Sequence, residues 1–248
     1  MTPIPRSLFF AFASLLHPRM LWLMIWPMLV SLLVWGVAAF LLWGTTAVWL
    51  AARMKSWIES GVFFISFNPG DAMLVAAHVV MALLFVPIVY FTALLILSIF
   101  GMQAMVEHIA SRRFPQLARR RGGGLAGSVI NGLVALAGMV VLGVVSIPFW
   151  LIPPFWPAIP VLIMAWVNQR VLRYDALAEH ATAEEMRAIF SQRRKALYVF
   201  GAILAVLAYV PFVGFVAPVL FGLAFIHFLL GELEALRQAP IEGEVVRL

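Results

Sequence analysis

The residues that could do chemistry in this chain are few, and most of them fall in one short stretch. Between positions 170 and 195 stand Arg170, Arg173, Asp175, Glu179, Glu185, Arg187, Arg193 and Arg194, preceded by the amides of Asn168 and Gln169. Guanidinium groups bind oxyanions in a fork geometry, and amides at the end of an apolar helix need hydrogen-bond partners. One reading makes Arg170 and Arg173 the cytoplasmic mouth of an anion path, held by Asp175 and Glu179, with Asn168 as a substrate-facing polar group. The commoner outcome for such charges is a structural network of ion pairs at the membrane edge, and Asp175, Glu179, Glu185, Arg187, Arg193 and Arg194 are assigned to one. Thr182 and Glu185 have capping-box spacing, which predicts a short helix from Ala183 with an apolar stripe of Met186, Ile189, Phe190 and Leu197. That helix is expected to hug the membrane and run on into the next hairpin.

No catalytic constellation accompanies these groups. The chain has no His-Glu-x-x-His motif, no Gly-x-Ser-x-Gly elbow and no P-loop, and it has no cysteine. We expect no enzyme, no metal and no cofactor. Gly122-Gly123-Gly124 follows Arg119-Arg120-Arg121 and reads as a flexible tether. His78 and His227 lie in apolar surroundings and read as packing residues. Glu107 and His108 read as the water-edge ending of a span.

The elements that must carry these groups are apolar. Of 248 residues, 64% are hydrophobic and 11% charged, against about 25% charged in a soluble domain. Stretches 20–52, 72–106, 122–169 and 196–231 contain no charged residue and together hold 152 positions. A spanning helix needs about 20 apolar residues, so this is a polytopic membrane protein of all-α class.

Two proline turns bracket the charged stretch. Ile152-Pro153 and Pro160-Val161-Leu162 recur at one constant offset as Val210-Pro211 and Pro218-Val219-Leu220. Each copy should end one helix and begin another. The chain then divides into an interfacial helix (6–17, read in preference to a cleaved signal), long transmembrane helices at 20–52 and 72–106, and hairpins at 128–169 and 196–231. A charged segment (170–195) separates the hairpins and a tail (232–248) follows. In the first hairpin the arm from Ile159 to Val167 has nine apolar residues, and the arms of the second have 15 each. A helix rises only about 1.5 Å per residue, so both hairpins are too short to cross and read as hemi-penetrating. Their tips are expected to pack on the long spans or on a second subunit. Gly127, Gly132, Gly138 and Gly143 allow close helix approach, and Asn68-Pro69-Gly70 is a turn signal.

Lysine and arginine fix the orientation. Residues 1–19, 107–121, 170–195 and 232–248 hold 15 of them and the loop at 53–71 holds 2. The positive-inside rule puts both termini in the cytoplasm. The net charge of +6 reads as contact with lipid headgroups, not nucleic acid.

Tyr174-Asp175-Ala176-Leu177-Ala178-Glu179-His180-Ala181-Thr182, Glu185-Met186-Arg187 and Arg193-Arg194, flanked by the proline hairpins, resemble the etoposide-induced-protein/CysZ superfamily of bacterial inner-membrane proteins. The resemblance covers roughly residues 7–236 and is strongest from Ile147 to Glu232. It implies two long transmembrane helices, two hemi-penetrating hairpins, a dimer or larger oligomer and, in one branch, sulfate uptake. In that branch the first long helix starts with a motif similar to Pro-Gly-x-Arg-Arg. Here Pro18 and Pro27 keep the proline spacing, but Leu21 and Trp22 stand where the arginine pair would be, leaving Arg19 as the nearby cation. The expected function is an inner-membrane permease or channel-like transporter for a small anion, sulfate being one case. The alternative is a non-transporting scaffold or assembly factor that binds lipids or partner proteins.

Overall fold

Long apolar runs with few internal breakers should give long helices, and they do. The computed structural model describes residues 3–58 and 70–238. It contains α1 (Pro3–Leu15), α2 (Pro18–Trp57), α3 (Gly70–Arg113), α4 (Leu125–Ser146), α5 (Ala158–Leu177), α6 (Ala183–Gln192), α7 (Arg194–Leu207) and α8 (Val213–Gln238). No strand occurs among the described residues. The Asn68-Pro69 part of the turn signal and the tail from 239 onward lie outside the described residues. Helices α2, α3, α4 and α8 each contain a stretch long and apolar enough to cross a membrane.

The chain forms two compact units, one from Met1–Leu21 with Phe100–Leu248 and the other from Trp22–Ile99. In the smaller unit the Trp35 indole donates to the Thr92 hydroxyl at 2.9 Å, and that hydroxyl donates back to Ile88 O at 2.8 Å. His78 packs its ring 6.3 Å from Trp43 and bonds Leu74 O at 2.7 Å, the behaviour of a packing residue.

The larger unit is built around α8, which is apolar nearly all round and therefore wants partners on every side. Residues Val219 to Leu230 of α8 are buried without interruption. Helix α1 covers one flank of it and α5 another, and α5 also packs on α4 and α7. The two arms of the second hairpin, α7 and α8, meet each other far less than each meets α5. Phe200 of α7 stacks at 5.1 and 5.3 Å from Phe225 and Phe228 of α8, contacts worth about 0.5–1.5 kcal/mol each beyond their area.

Small residues set how closely these helices approach, at only some of the positions the spacing suggests. A Cβ on Gly138 would overlap the Trp166 ring and one on Gly127 the Tyr174 hydroxyl, so both lie against α5, while Gly132 and Gly143 face open space. On α7, a Cβ at Gly201 would lie 2.5 Å from the backbone oxygen of Ala165.

The proline repeat separates helices in both copies, by different means. In the first, Pro148 stands at the start of one short 3₁₀ turn (Ile147–Leu151) and Pro153 and Pro154 at the start of a second (Pro153–Phe155), with Pro157 just before α5. In the second, Pro211 and a left-handed Phe212 (φ 67°) separate α7 from α8, and Pro218 lies inside α8. Arm lengths differ from the sequence expectation. Helix α5 continues through Asn168–Arg170 to Leu177 and has 20 residues, and α8 has 26. Polar side chains do not by themselves stop a helix, since its backbone hydrogen bonds continue through them. The arms in α5 and α8 are thus longer than the nine and 15 residues on which the half-crossing reading rested, while α7, with 14, keeps its expected length. Both tips are exposed on this chain, including Leu151 at 85% and Phe212 at 83%.

Candidate functional site

Helix α2 begins at Pro18, a residue suited to the first turn because it has no N–H to leave unpaired. His17 caps that start. Its carbonyl accepts from Met20 N at 2.8 Å and Leu21 N at 3.1 Å, and its ring Nδ1 accepts from Arg19 N at 3.2 Å. That bond requires Nδ1 without a proton. The His17 ring packs 4.6 Å from the ring of His108 on α3. One turn further along α3, Arg112 lies on the same helix face as His108. His17 and His108 are both held below the ordinary imidazole value, first by desolvation, then by the positive charge of Arg112.

A cavity of about 180 Å³ opens among Ser14, His17, His108, Arg112 and Arg113. No carboxylate lines it. It combines a hydroxyl and several cationic or protonatable groups with no carboxylate, a composition suited to an anion, while the N–H groups at the start of α2 are already taken by His17. Arg112 and Arg113, at the end of α3, are the cations that line this cavity. Of the residues singled out in the sequence, Arg19 belongs to this neighbourhood. His17, His108 and Arg112 went unrecognised as a site. The helical spacing of His108 and Arg112 was visible, but the whole length of α2 and most of α3 separate them from His17, and only folding brings them together.

Asn168, Arg170 and Arg173 lie elsewhere, on α5. The Arg173 guanidinium lies 4.6 Å over the Phe190 ring and is pushed down by burial, then by Arg170. The backbone oxygen of Arg170 accepts from Asn131 Nδ2 of α4 at 2.9 Å. Its Nε is buried without a hydrogen bond, as is Asp175 Oδ1. Burial pushes the Asp175 carboxyl up, opposed by its hydrogen bond to Ser128. Among the described residues no ion pair joins Arg170 or Arg173 to Asp175 or Glu179, and no hydrogen bond joins this group to Arg19.

The ion pairs form around Glu185. The Thr182–Glu185 capping box closes in both directions, at 3.2 and 2.8 Å. The same carboxylate takes two bonds from Arg237 of α8, both at 2.9 Å, and one from Arg120 at 3.1 Å. These hold Glu185 below the ordinary carboxylate range, the Arg237 hydrogen bond most of all. Arg237 also donates to Ala118 O at 3.0 Å and His180 O at 2.7 Å. Arg193 pairs with Glu232 at 2.7 Å, Arg119 pairs with Glu107, and Arg187 donates to Ala183 O at 3.2 Å. Arg194 opens α7. Helix α6 ends at Gln192 and does not run on into α7, because Arg193 leaves helical geometry (φ −101°, ψ 16°). Its stripe is covered by protein: Met186, Ile189 and Leu197 are buried, with α6 against α7 and α8.

The triglycine is no loose tether either. Arg121 N, Gly122 N and Gly123 N donate to Glu179 O, Ala181 O and Ala178 O at 3.0, 2.8 and 2.9 Å. A Cβ on Gly122 would overlap the backbone at Ala181–Ala183. Arg121 takes a left-handed φ of 45°, uncommon without glycine. Glycine here serves close backbone approach, and its cost in entropy is offset by three backbone hydrogen bonds.

Four helices long and apolar enough to span, and a basic cavity at the start of one of them, define a multi-pass α-helical membrane protein. The chain belongs to the sulfate transporter CysZ/etoposide-induced protein 2.4 family, whose description it matches over residues 7–218. That family is transporter-related rather than enzymatic by its description. No curated protein and no solved structure matches the chain.

Proposed function

We propose that this protein is an inner-membrane permease or channel-like transporter for a small oxyanion, with sulfate the first candidate, and not an enzyme. The observation that carries this reading is the acid-free cavity at the start of α2, where His17, His108 and Arg112 converge beside Arg19. Family membership supports sulfate in particular. The distribution of lysine and arginine supports cytoplasmic termini. Helices α2, α3 and α4 bury 11%, 6% and 6% of their most apolar windows, and surface of that kind supports embedding in lipid and association with further copies of the chain.

The test is uptake of labelled sulfate into proteoliposomes holding the purified protein, beside empty liposomes. Wild type should exceed background. Arg112→Gln removes a charge-assisted hydrogen bond worth about 1.5–3 kcal/mol, which is roughly 10- to 150-fold in affinity. Uptake at background for sulfate, phosphate and molybdate alike would remove transport and leave the scaffold reading.

A further inference from the structure

A second cavity, of about 470 Å³, lies between α1, the end of α3 and the C-terminal half of α8. Its charges are unevenly satisfied. Arg193 and Glu232 neutralise each other at 2.7 Å. Arg6 and Arg113 do not pair with any acid among the described residues. Both guanidiniums instead approach the same Phe10 ring, at 5.5 and 3.5 Å from its centre. Glu234 lines the cavity as well, also without an ion pair among the described residues. His227 closes the wall, its Nε2 already 3.0 Å from Ser14 Oγ.

Arg6 and Arg113 are exposed at this cavity and Glu234 is half-buried, so all three are free to form charge-assisted hydrogen bonds with a ligand that supplies the opposite charges. The ligand that does so carries an anion and a cation together. Placement narrows it further. Helix α1 buries Ala11 and Leu15 and turns Phe9 (69% exposed) outward, with Leu16 just after it 74% exposed, as a helix lying in the membrane interface does. The cavity thus opens at the level of lipid headgroups, beside an apolar surface suited to acyl chains.

We propose that this cavity binds the headgroup of a zwitterionic phospholipid bearing a primary amine. Its phosphate sits between Arg6 and Arg113, and its ammonium donates to Glu234. The site differs from the cavity at the start of α2. They share Arg113, so Arg6 and Glu234 are the residues that test this one alone.

Delipidated protein in detergent micelles, titrated with phosphatidylethanolamine, phosphatidylcholine or phosphatidylglycerol, would be read by native mass spectrometry. Phosphatidylethanolamine should be retained at least about tenfold better than phosphatidylcholine, whose quaternary amine cannot donate a hydrogen bond. Arg6→Gln should weaken retention of both lipids by a similar factor, and Arg6→Lys should restore part of it. Glu234→Gln should weaken both lipids, phosphatidylethanolamine more, and so narrow the preference between them. Equal retention of all three lipids by wild type, or an Arg6→Gln variant that binds as wild type does, would overturn the proposal. So would displacement by inorganic phosphate at the lipid's own concentration, which would make this a free-anion site.

Discussion

Replacing Glu185 with glutamine tests whether one carboxylate ties the turn after α5, helix α6 and the end of α8 into a unit. Glutamine keeps the shape and can still return the capping bond to Thr182 N–H, so the start of α6 survives. What it loses is charge. The oxygen kept for Thr182 N–H can still accept from Arg237 Nη2, but the amide NH2 in place of Oε1 cannot accept from Arg237 Nε or Arg120, so a charge-assisted bond of about 1.5–3 kcal/mol is lost outright. The side chains of Glu185 and Arg237 are only 14% and 16% exposed, so solvent screens this pair little. Arg120 is 53% exposed and adds at most about 1 kcal/mol. Arg237 retains Ala118 O and His180 O, which keeps the cost below the full penalty of an orphaned buried charge. We expect Glu185→Gln to lose about 2–3 kcal/mol at pH 7, and Glu185→Ala to lose about 0.5–2 kcal/mol more with its cap. The assay is denaturant unfolding in detergent micelles across a pH series. The folded carboxyl lies below its ordinary 4.5, so its contribution is complete above that value and fades as pH falls through the lowered one. Wild type should therefore lose an acid-labile increment that Glu185→Gln lacks. If the variant matches wild type within about 0.5 kcal/mol, a surface-substitution effect, and keeps the same acid limb, the carboxylate is not the tie.

Two further outcomes follow from close contacts and from the histidine pair. Gly201→Ala should destabilise the larger unit by about 1–3 kcal/mol, seen as earlier thermal unfolding, because the new methyl meets the Ala165 carbonyl; Gly143→Ala, with open space around it, should be neutral or gain from helix propensity. Since His17 and His108 are held below 6.5 by desolvation and Arg112, the anion-free protein should lose stability as pH falls from the ordinary value through the lowered ones. A bound anion offsets Arg112 and favours the protonated rings, so sulfate affinity measured calorimetrically should rise over the same descent, and His108→Gln should flatten it; a flat wild-type profile would sink the assignment of these rings to the site.

The sequence by itself determined the class, the order of the long apolar helices and the start of α6. Long charge-free runs have no solvent but lipid or protein, a proline disfavours helix in the residue before it, and Thr182-x-x-Glu185 satisfies helix-start donors within a single turn. All of these are local rules. Tertiary structure decided what lies far apart in the chain. Nothing in the pattern of α8 says that it, and not α2 or α3, is the buried core, since all three are apolar throughout and differ only in what packs against them. Nor does Gly122 announce that it is pressed on the distant backbone of Ala181–Ala183. The site followed the same division. Arg19 could be named because it adjoins Pro18, but its companions His108 and Arg112 come from the far end of another helix. An anion cavity depends on the sum of charges in a small volume, and only the fold sets which charges share it.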